Sequence, residues 1–304
     1  MTDVGTNRLS LRQWIAAKDF DRVARLQVFA REVVEGYCSG RHRSPQKGYS
    51  VDFKEHRQYV RGDELRDIDW KVYGKSDKLF VRQYEEETNL RCHLVVDTSG
   101  SMAYGGEHSK ADYATRLAAC LTYMMLGQQD AVGLITFDDR PRSVVQASGR
   151  PSHLAQILSA LVAQTPQNET DLGTALRLAA SQIRRRALVV ILSDGMGDVQ
   201  SMKTALAMFR NHGHDVIFFQ ILHPDESEFP FQGRIRFRDL EHDTTERTVD
   251  SSTIRQAYLD RFAQHQNDLK SICRTHRVDL VTLSSAVDPV EGLHRYVTLR
   301  RAAR

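Results

Sequence analysis

The sequence predicts an α/β fold, a mostly parallel sheet flanked by helices, with an N-terminal appendage ahead of it. Three observations lead there. Short apolar runs at Leu94 to Val96, Val189 to Leu192 and Val216 to Leu222 end in polar residues, as buried parallel strands emptying into loops do. Between them apolar residues recur at helical spacing, at Ala111, Ala114, Leu117, Ala118, Leu121 and Met125, and again at Leu172, Ala175, Leu176, Ala179 and Ile183. After Asp97 the predicted order is helix, strand, strand, helix, helix, strand, helix, strand, the alternation of a layered α/β domain.

In the appendage, Phe20, Val23, Leu26, Phe29, Val33 and Tyr37 form a helical stripe closed by Gly36 and Gly40, so this helix is predicted to pack on the main domain. The basic, turn-rich stretch from Arg41 to Gly48 reads as a solvated loop. Acids from Asp63 to Asp69 are interleaved with Arg61, Arg66 and Lys71, which favours ion pairing over a metal site. Arg61-Gly62-Asp63 reads as a turn. Trp70 reads as a core anchor, because an indole contributes a large buried area. Basic and acidic residues are nearly balanced over residues 1–89, so this is no basic arm.

In the main domain, Ala131 to Phe137 is predicted to be a strand, Asp138-Asp139-Arg140-Pro141 a hairpin turn, and Ser143 to Ala147 an edge strand. His153 to Gln164 and Leu172 to Ile183 are predicted helices, the second with Thr170 and Asp171 available as caps. Asp198 caps the next helix, which buries Val199, Met202, Ala205 and Phe209 and stops at Gly213. Glu226 to Asp250 is a charged rim insertion in which Arg234 to Leu240 alternates like an edge strand, and partner contacts can accumulate there. Thr253 to His276 is a long helix, Val278 to Leu283 the last strand, and Glu291 to Arg304 a basic helical tail. The expected organisation is an appendage over 1–89 packed on the core, a main domain over 90–285 that includes the rim insertion 226–250, and a tail over 286–304.

The 304 residues exceed the usual single-domain size without demanding two independent cores. With 42 basic against 39 acidic residues the net charge is +3, too small for a protein built to neutralise nucleic acid or lie on acidic lipid. Cys38, Cys92, Cys120 and Cys273 are scattered without zinc-ligand spacing, and reduced buried thiols are expected. Residues 1–19 lack a sustained apolar run, and no apolar stretch is long enough to cross a bilayer. A cytoplasmic protein without stable membrane insertion is expected.

The chemistry is expected at strand ends, where open α/β sheets bind ligands. Leu94 to Met102 ends in Asp97-Thr98-Ser99-Gly100-Ser101, Thr170-Asp171 opens a helix, and Val189 to Leu192 runs into Ser193-Asp194-Gly195. Asp97, Ser99, Ser101, Thr170 and Asp194 together offer two carboxylates and three hydroxyls, a hard oxygen set suited to magnesium. The Asp-x-Ser-x-Ser motif, the distant Thr and the strand-ending Asp-Gly resemble the von Willebrand factor A domain and its metal-ion-dependent adhesion site. That resemblance implies that Ser99, Ser101 and Thr170 coordinate the ion directly, that Asp97 and Asp194 hold it directly or through water, and that a partner's carboxylate completes the shell. Upstream, Gly40 to Ser50, Asp52-Phe53, Arg61 to Lys71, Leu79 to Arg82 and Glu85-Glu86-Glu87 resemble the bacterial domain of unknown function 58 family over roughly Gly40 to Ser284. The family resemblance implies a MoxR-type AAA+ ATPase as partner.

The function expected is a divalent-metal-dependent protein-binding module, with magnesium or another hard cation such as manganese or calcium, that captures an acidic residue of a partner. It is not expected to be an enzyme. A magnesium-dependent hydrolase using Asp97 is the alternative, but an acid two positions on, which such enzymes use, is replaced by Ser99. Position 101 is not framed as Gly-x-Ser-x-Gly, and no Gly-x-x-x-x-Gly-Lys run is present. A structural scaffold with a vestigial site is the third possibility.

Overall fold

The apolar runs become the strands of one six-stranded sheet. The structure, a computed structural model, describes residues 21–35, 53–59, 68, 70–76, 78–84, 90–106, 109–166, 171–238 and 246–302. Its chain forms two compact units, residues 41–89 and residues 1–40 with 90–304. The expectations for Cys38, Arg41 to Gly48, Arg61-Gly62-Asp63, the acids between Asp63 and Asp69, Glu85-Glu86-Glu87 and Thr170 lie outside the described residues.

The first described element of the larger unit is helix α1 (residues 21–35). The smaller unit holds strand β1 (Phe53–Gln58), helix α2 (Trp70–Ser76) and strand β2 (Phe80–Tyr84), with the two strands antiparallel. Trp70 corrects the expectation of a core anchor. It is 61% exposed and meets Tyr73 edge-on at 6.1 Å, because it opens a seven-residue helix whose length offers little room for a buried stripe.

In the larger unit the chain continues through β3 (Arg91–Asp97), α3 (Lys110–Gly127), β4 (Ala131–Phe137), β5 (Pro141–Ser148), α4 (His153–Val162) and α5 (Leu172–Gln182). It then forms β6 (Leu188–Ser193), α6 (Val199–Asn211), β7 (Asp215–Leu222), α7 (Pro224–Glu228), β8 (Arg234–Arg238), β9 (Glu246–Asp250), α8 (Ser251–Thr275), β10 (Val278–Ser284) and α9 (Val290–Ala302). The sheet order is β10-β7-β6-β3-β4-β5, parallel throughout except for the antiparallel edge strand β5. This is the expected α/β, von Willebrand factor A-like architecture. The rim insertion is a separate two-stranded ribbon of β8 and β9.

Alternation along the strands divides the core. Leu94, Val96, Val190, Leu192 and Phe219 pack on one face with α1, α3, α4 and α9, while Val95, Val189, Ile191 and Phe218 pack on the other with α5, α6 and α8. Four members of the predicted α1 stripe, Val23, Leu26, Phe29 and Val33, lie partly buried against the core, and the buried positions are their neighbours Ala30 and Val34, which the stripe left out. Helix α9 is more than a soluble tail, because Leu293 and Tyr296 are buried in that face. The capping expectations also hold: Asp171 accepts a hydrogen bond from Thr174 N at 3.0 Å, and Asp198 from Ser201 N at 2.7 Å. Cys92, Cys120 and Cys273 are buried and form no disulfide among the described residues, and burial pushes the thiols of Cys120 and Cys273 up to about 12.

Where α5 and α6 cross, Gly173 lets the backbones approach. A Cβ there would sit 2.0 Å from Ser201 Oγ and 2.5 Å from the Ser201 backbone carbonyl carbon, so the helices rather than a flexible tip must move. Gly173→Ala is expected to cost about 2–3 kcal/mol, the range for overpacking a filled core. Urea denaturation measures it, and a loss near zero would show that the crossing yields.

A second close approach joins β3 to β4, where His93 lies opposite Gly133 and a Cβ on Gly133 would come within 2.7 Å of His93 Nδ1. Among the described residues that nitrogen has no hydrogen-bond partner, and burial, then the His214 and Arg91 charges, lower the His93 pKa from 6.5 to about 4. The folded value lies below the unfolded one, so this contribution is complete above pH 6.5 and is lost as the pH falls towards 4. Between pH 7.5 and 4.5 the wild type is expected to lose about 2–3 kcal/mol more than His93→Asn, measured from denaturation midpoints. Parallel acid profiles for the two proteins would contradict this.

Candidate functional site

Helix α3, which follows β3, lies on one face of the sheet, and α6, which follows β6, lies on the other. Strands β3 and β6 are neighbours, so their carboxyl ends flank the point where the winding reverses, the usual crevice of open α/β sheets. Asp97 ends β3, Ser193 ends β6 and Asp194 follows it.

The loop after β3 is tied down at each step. Thr98 donates through N and Oγ1 to Phe137 O at 2.7 and 2.8 Å, anchoring the exit to β4. Residues Gly100–Ala103 form a 3-10 turn plugged into the core by Met102, which is fully buried. This turn brings the Ser99 and Ser101 hydroxyls to 3.1 Å from each other.

Below them lie two buried acids. Asp97 Oδ1 accepts from Ser99 N at 3.0 Å and Oδ2 from Ser193 Oγ at 2.6 Å. Asp194 Oδ1 accepts from Met196 N at 2.9 Å, and Asp194 O from Gln220 Nε2 at 3.0 Å. Burial, then the nearby Asp194 charge, push the Asp97 carboxyl up to about 7, against the pull of the Ser193 and Ser99 hydrogen bonds. Two carboxylates so placed call for a cation.

One is present in the chain itself. Lys110, 1% exposed at the start of α3, donates through Nζ to Asp194 Oδ2 at 2.8 Å and to Glu226 Oε1 at 2.5 Å. Burial alone would depress this ammonium, but Asp194 and Glu226 outweigh burial and hold its pKa above the ordinary lysine value. Glu226 belongs to α7, where the neighbouring acid, Asp225, accepts from Tyr104 OH at 2.8 Å. Lys110, Ser193, Tyr104 and Glu226 are not among the residues that the sequence motifs mark as ligands. The signal for Lys110 was a charged residue at the head of an otherwise apolar helix face, directly after the Ser109 cap.

Four of the five expected ligands are therefore described, Asp97, Ser99, Ser101 and Asp194, and the structure brings them to the same crevice. Thr170 is outside the described residues, and its neighbour Asp171 is the exposed N-cap of α5. The hydroxyl pair suits a small octahedral ion, since ligands at magnesium distances stand about 2.9 Å apart on adjacent vertices. Among the described residues no group of three or more His, Cys, Asp or Glu is placed to hold a metal, so any metal role falls to a hydroxyl-rich set.

A family model described as protein of unknown function DUF58 matches residues 55–268. Curated relatives include uncharacterized proteins of Mycobacterium tuberculosis and Mycobacterium bovis, each 26% identical over 281 residues, 91% of this chain and 88% of theirs. Another, from Mycobacterium avium, is 28% identical over 158 residues, 51% of this chain and 91% of its own. Among solved structures the chain is similar to an aerotolerance-related membrane protein of Bacteroides fragilis, at 19% identity over 69% of this chain and 97% of that one, TM-score 0.43. It is also similar to BatB of Bacteroides thetaiotaomicron, at 17% identity and the same two coverages, TM-score 0.38. The fold assignment rests on strand order, not on these scores. No described helix is long and apolar enough to cross a membrane.

Proposed function

Because the chain belongs to the family described as protein of unknown function DUF58, represented here by its von Willebrand factor A-like sheet, we propose that it is a protein-binding module that takes an acidic side chain of a partner at the β3–β6 crevice. Asp97, Ser99, Ser101, Thr170 and Asp194 would hold a divalent cation there, magnesium or another hard ion, in the manner of a metal-ion-dependent adhesion site. The observation that carries this reading is the 3.1 Å hydroxyl pair set beside two buried carboxylates at the switch point. A bound divalent ion supplies attraction for an incoming carboxylate. Asp97 and Asp194 contribute the charge that retains it, whereas the serine hydroxyls contribute ligands without charge.

Binding is favoured over turnover because Asp97 is 2% exposed and both of its oxygens already accept hydrogen bonds, which is poor preparation for a nucleophile. The family resemblance points to a MoxR-type AAA+ ATPase as the partner, with this chain as its cytoplasmic adaptor. Calorimetric titration with magnesium is expected to give one saturable site that Ser101→Ala removes, and a purified MoxR-type ATPase is expected to be retained with magnesium and released by EDTA. Absence of binding heat, or equal retention with and without EDTA, overturns the metal-dependent reading.

A further inference from the structure

We propose that Glu226 is a built-in occupant of this acid site, and that Lys110 is the cation at which a partner's Asp or Glu carboxylate replaces it. The inference rests on the acid-binding reading above and adds the chain's own competitor to it. Lys110 is held inside the crevice by Asp194, and among the described residues its second ion pair is with the Glu226 carboxylate at 2.5 Å. Glu226 is the more accessible of the three, 19% exposed against 1% for each of the others. It is the group that can leave.

The insertion is built for such a departure. Glu226 Oε2 accepts from the N–H of His223, the cap of its own helix, at 2.8 Å, so the side chain has a local partner. Tyr104, immediately after the Ser99–Ser101 turn, holds the neighbouring Asp225 and packs edge-on against His223 at 5.0 Å. Two contacts thus clip α7 to the site loop and to the first turn of α3. The far end of α7 is anchored independently. Phe229 adopts the left-handed region (φ 46°) and is buried against Phe231, Phe237 and Tyr258, its carbonyl accepting from Arg255. Loss of the Lys110 contact therefore removes an ion pair from this five-residue helix and leaves it held by the hydrogen bonds from Tyr104 OH to Asp225 and from Tyr258 OH to the Glu226 carbonyl, a weaker hold that opens more readily while the aromatic base stays in place.

Charge decides between exchange and addition. Asp194 and Glu226 face a single ammonium, so a third carboxylate entering beside Glu226 meets repulsion in a region poorly screened by water. Substitution of one carboxylate for another leaves the local charge unchanged.

The test uses the full chain and N-acetylglutamate amide as a mimic of an acidic side chain, with N-acetylglutamine amide as the neutral control. Hydrogen exchange over Pro224–Phe229 is expected to rise about tenfold or more with the acid while α6 and α8 are unchanged, the pattern of a local opening. The glutamine analogue is expected to do nothing. Glu226→Gln is expected to show the fast exchange without any probe and to bind the acid more tightly than wild type. Unchanged exchange at saturating acid, or an equal response to both analogues, overturns the proposal. The magnesium titration is read separately. If magnesium binds but the acid does not free α7, the exchange proposal falls and the metal reading stands. If the acid frees α7 and magnesium gives no heat, the metal reading falls and exchange at Lys110 stands.

Discussion

Lys110→Met is expected to destabilise the folded chain by about 3–5 kcal/mol, the range for removing one partner of a buried ion pair. Methionine matches the length of the lysine stem, so packing at the head of α3 is preserved and the loss isolates the charge. Asp194, 1% exposed, would keep one backbone donor at Oδ1 and lose its ammonium at Oδ2, with Asp97 close enough to oppose it. Glu226 would lose its inward partner as well. Denaturant unfolding of the two proteins at neutral pH measures the difference. Magnesium supplies a discriminating arm: if Asp97 and Asp194 belong to a divalent-cation site, saturating magnesium should restore part of the stability to Lys110→Met. A loss under about 1 kcal/mol would show that desolvation of the ammonium offsets its attraction for Asp194 and Glu226.

Asp97→Ala is expected to weaken retention of the acidic partner by about 2–5 kcal/mol, the range for truncating one side of a desolvated charge contact. The fold is expected to survive. Ser99 N and Ser193 Oγ each lose an acceptor, but the substitution also removes a buried carboxyl whose ionisation burial and Asp194 oppose. The two effects act in opposite directions on stability, so capture should fall much further than the unfolding midpoint. Titration of a MoxR-type ATPase against both proteins in magnesium, with midpoints taken in parallel, checks the claim. Equal affinity would remove Asp97 from the binding function, and a collapse in stability matching the loss of capture would make its role structural.

Much of the fold was legible because burial repeats with the period of the backbone. Leu94 and Val96 face one layer and Val95 the other, and Leu172, Ala175, Leu176 and Ala179 all fall on the buried face of α5. The turn at Asp138 was also legible. Its carboxylate accepts from Arg140 N and pairs with Arg142, as a short acid in a tight hairpin can. Trp70 misled because aromatic bulk favours burial on average, whereas a single indole on a seven-residue helix is placed by its neighbours.

The candidate site divides in the same way. Asp97, Ser99 and Ser101 are near neighbours in the chain, and Asp194 follows the end of an apolar run, so residue type and position sufficed to mark them. Lys110 and Glu226 are separated by 116 residues, and Tyr104 and Asp225 by 121. Sequence alone therefore determined the layered α/β class, the strand ends at which polar side chains gather, and the oxygen-rich character of the crevice. Only the tertiary structure decided that an ammonium lies among those oxygens and that an acid from the insertion after β7 reaches it. The physical reason is that periodicity reports which face of an element is buried, whereas a charge pair between distant segments depends on where the sheet order sets two loops side by side.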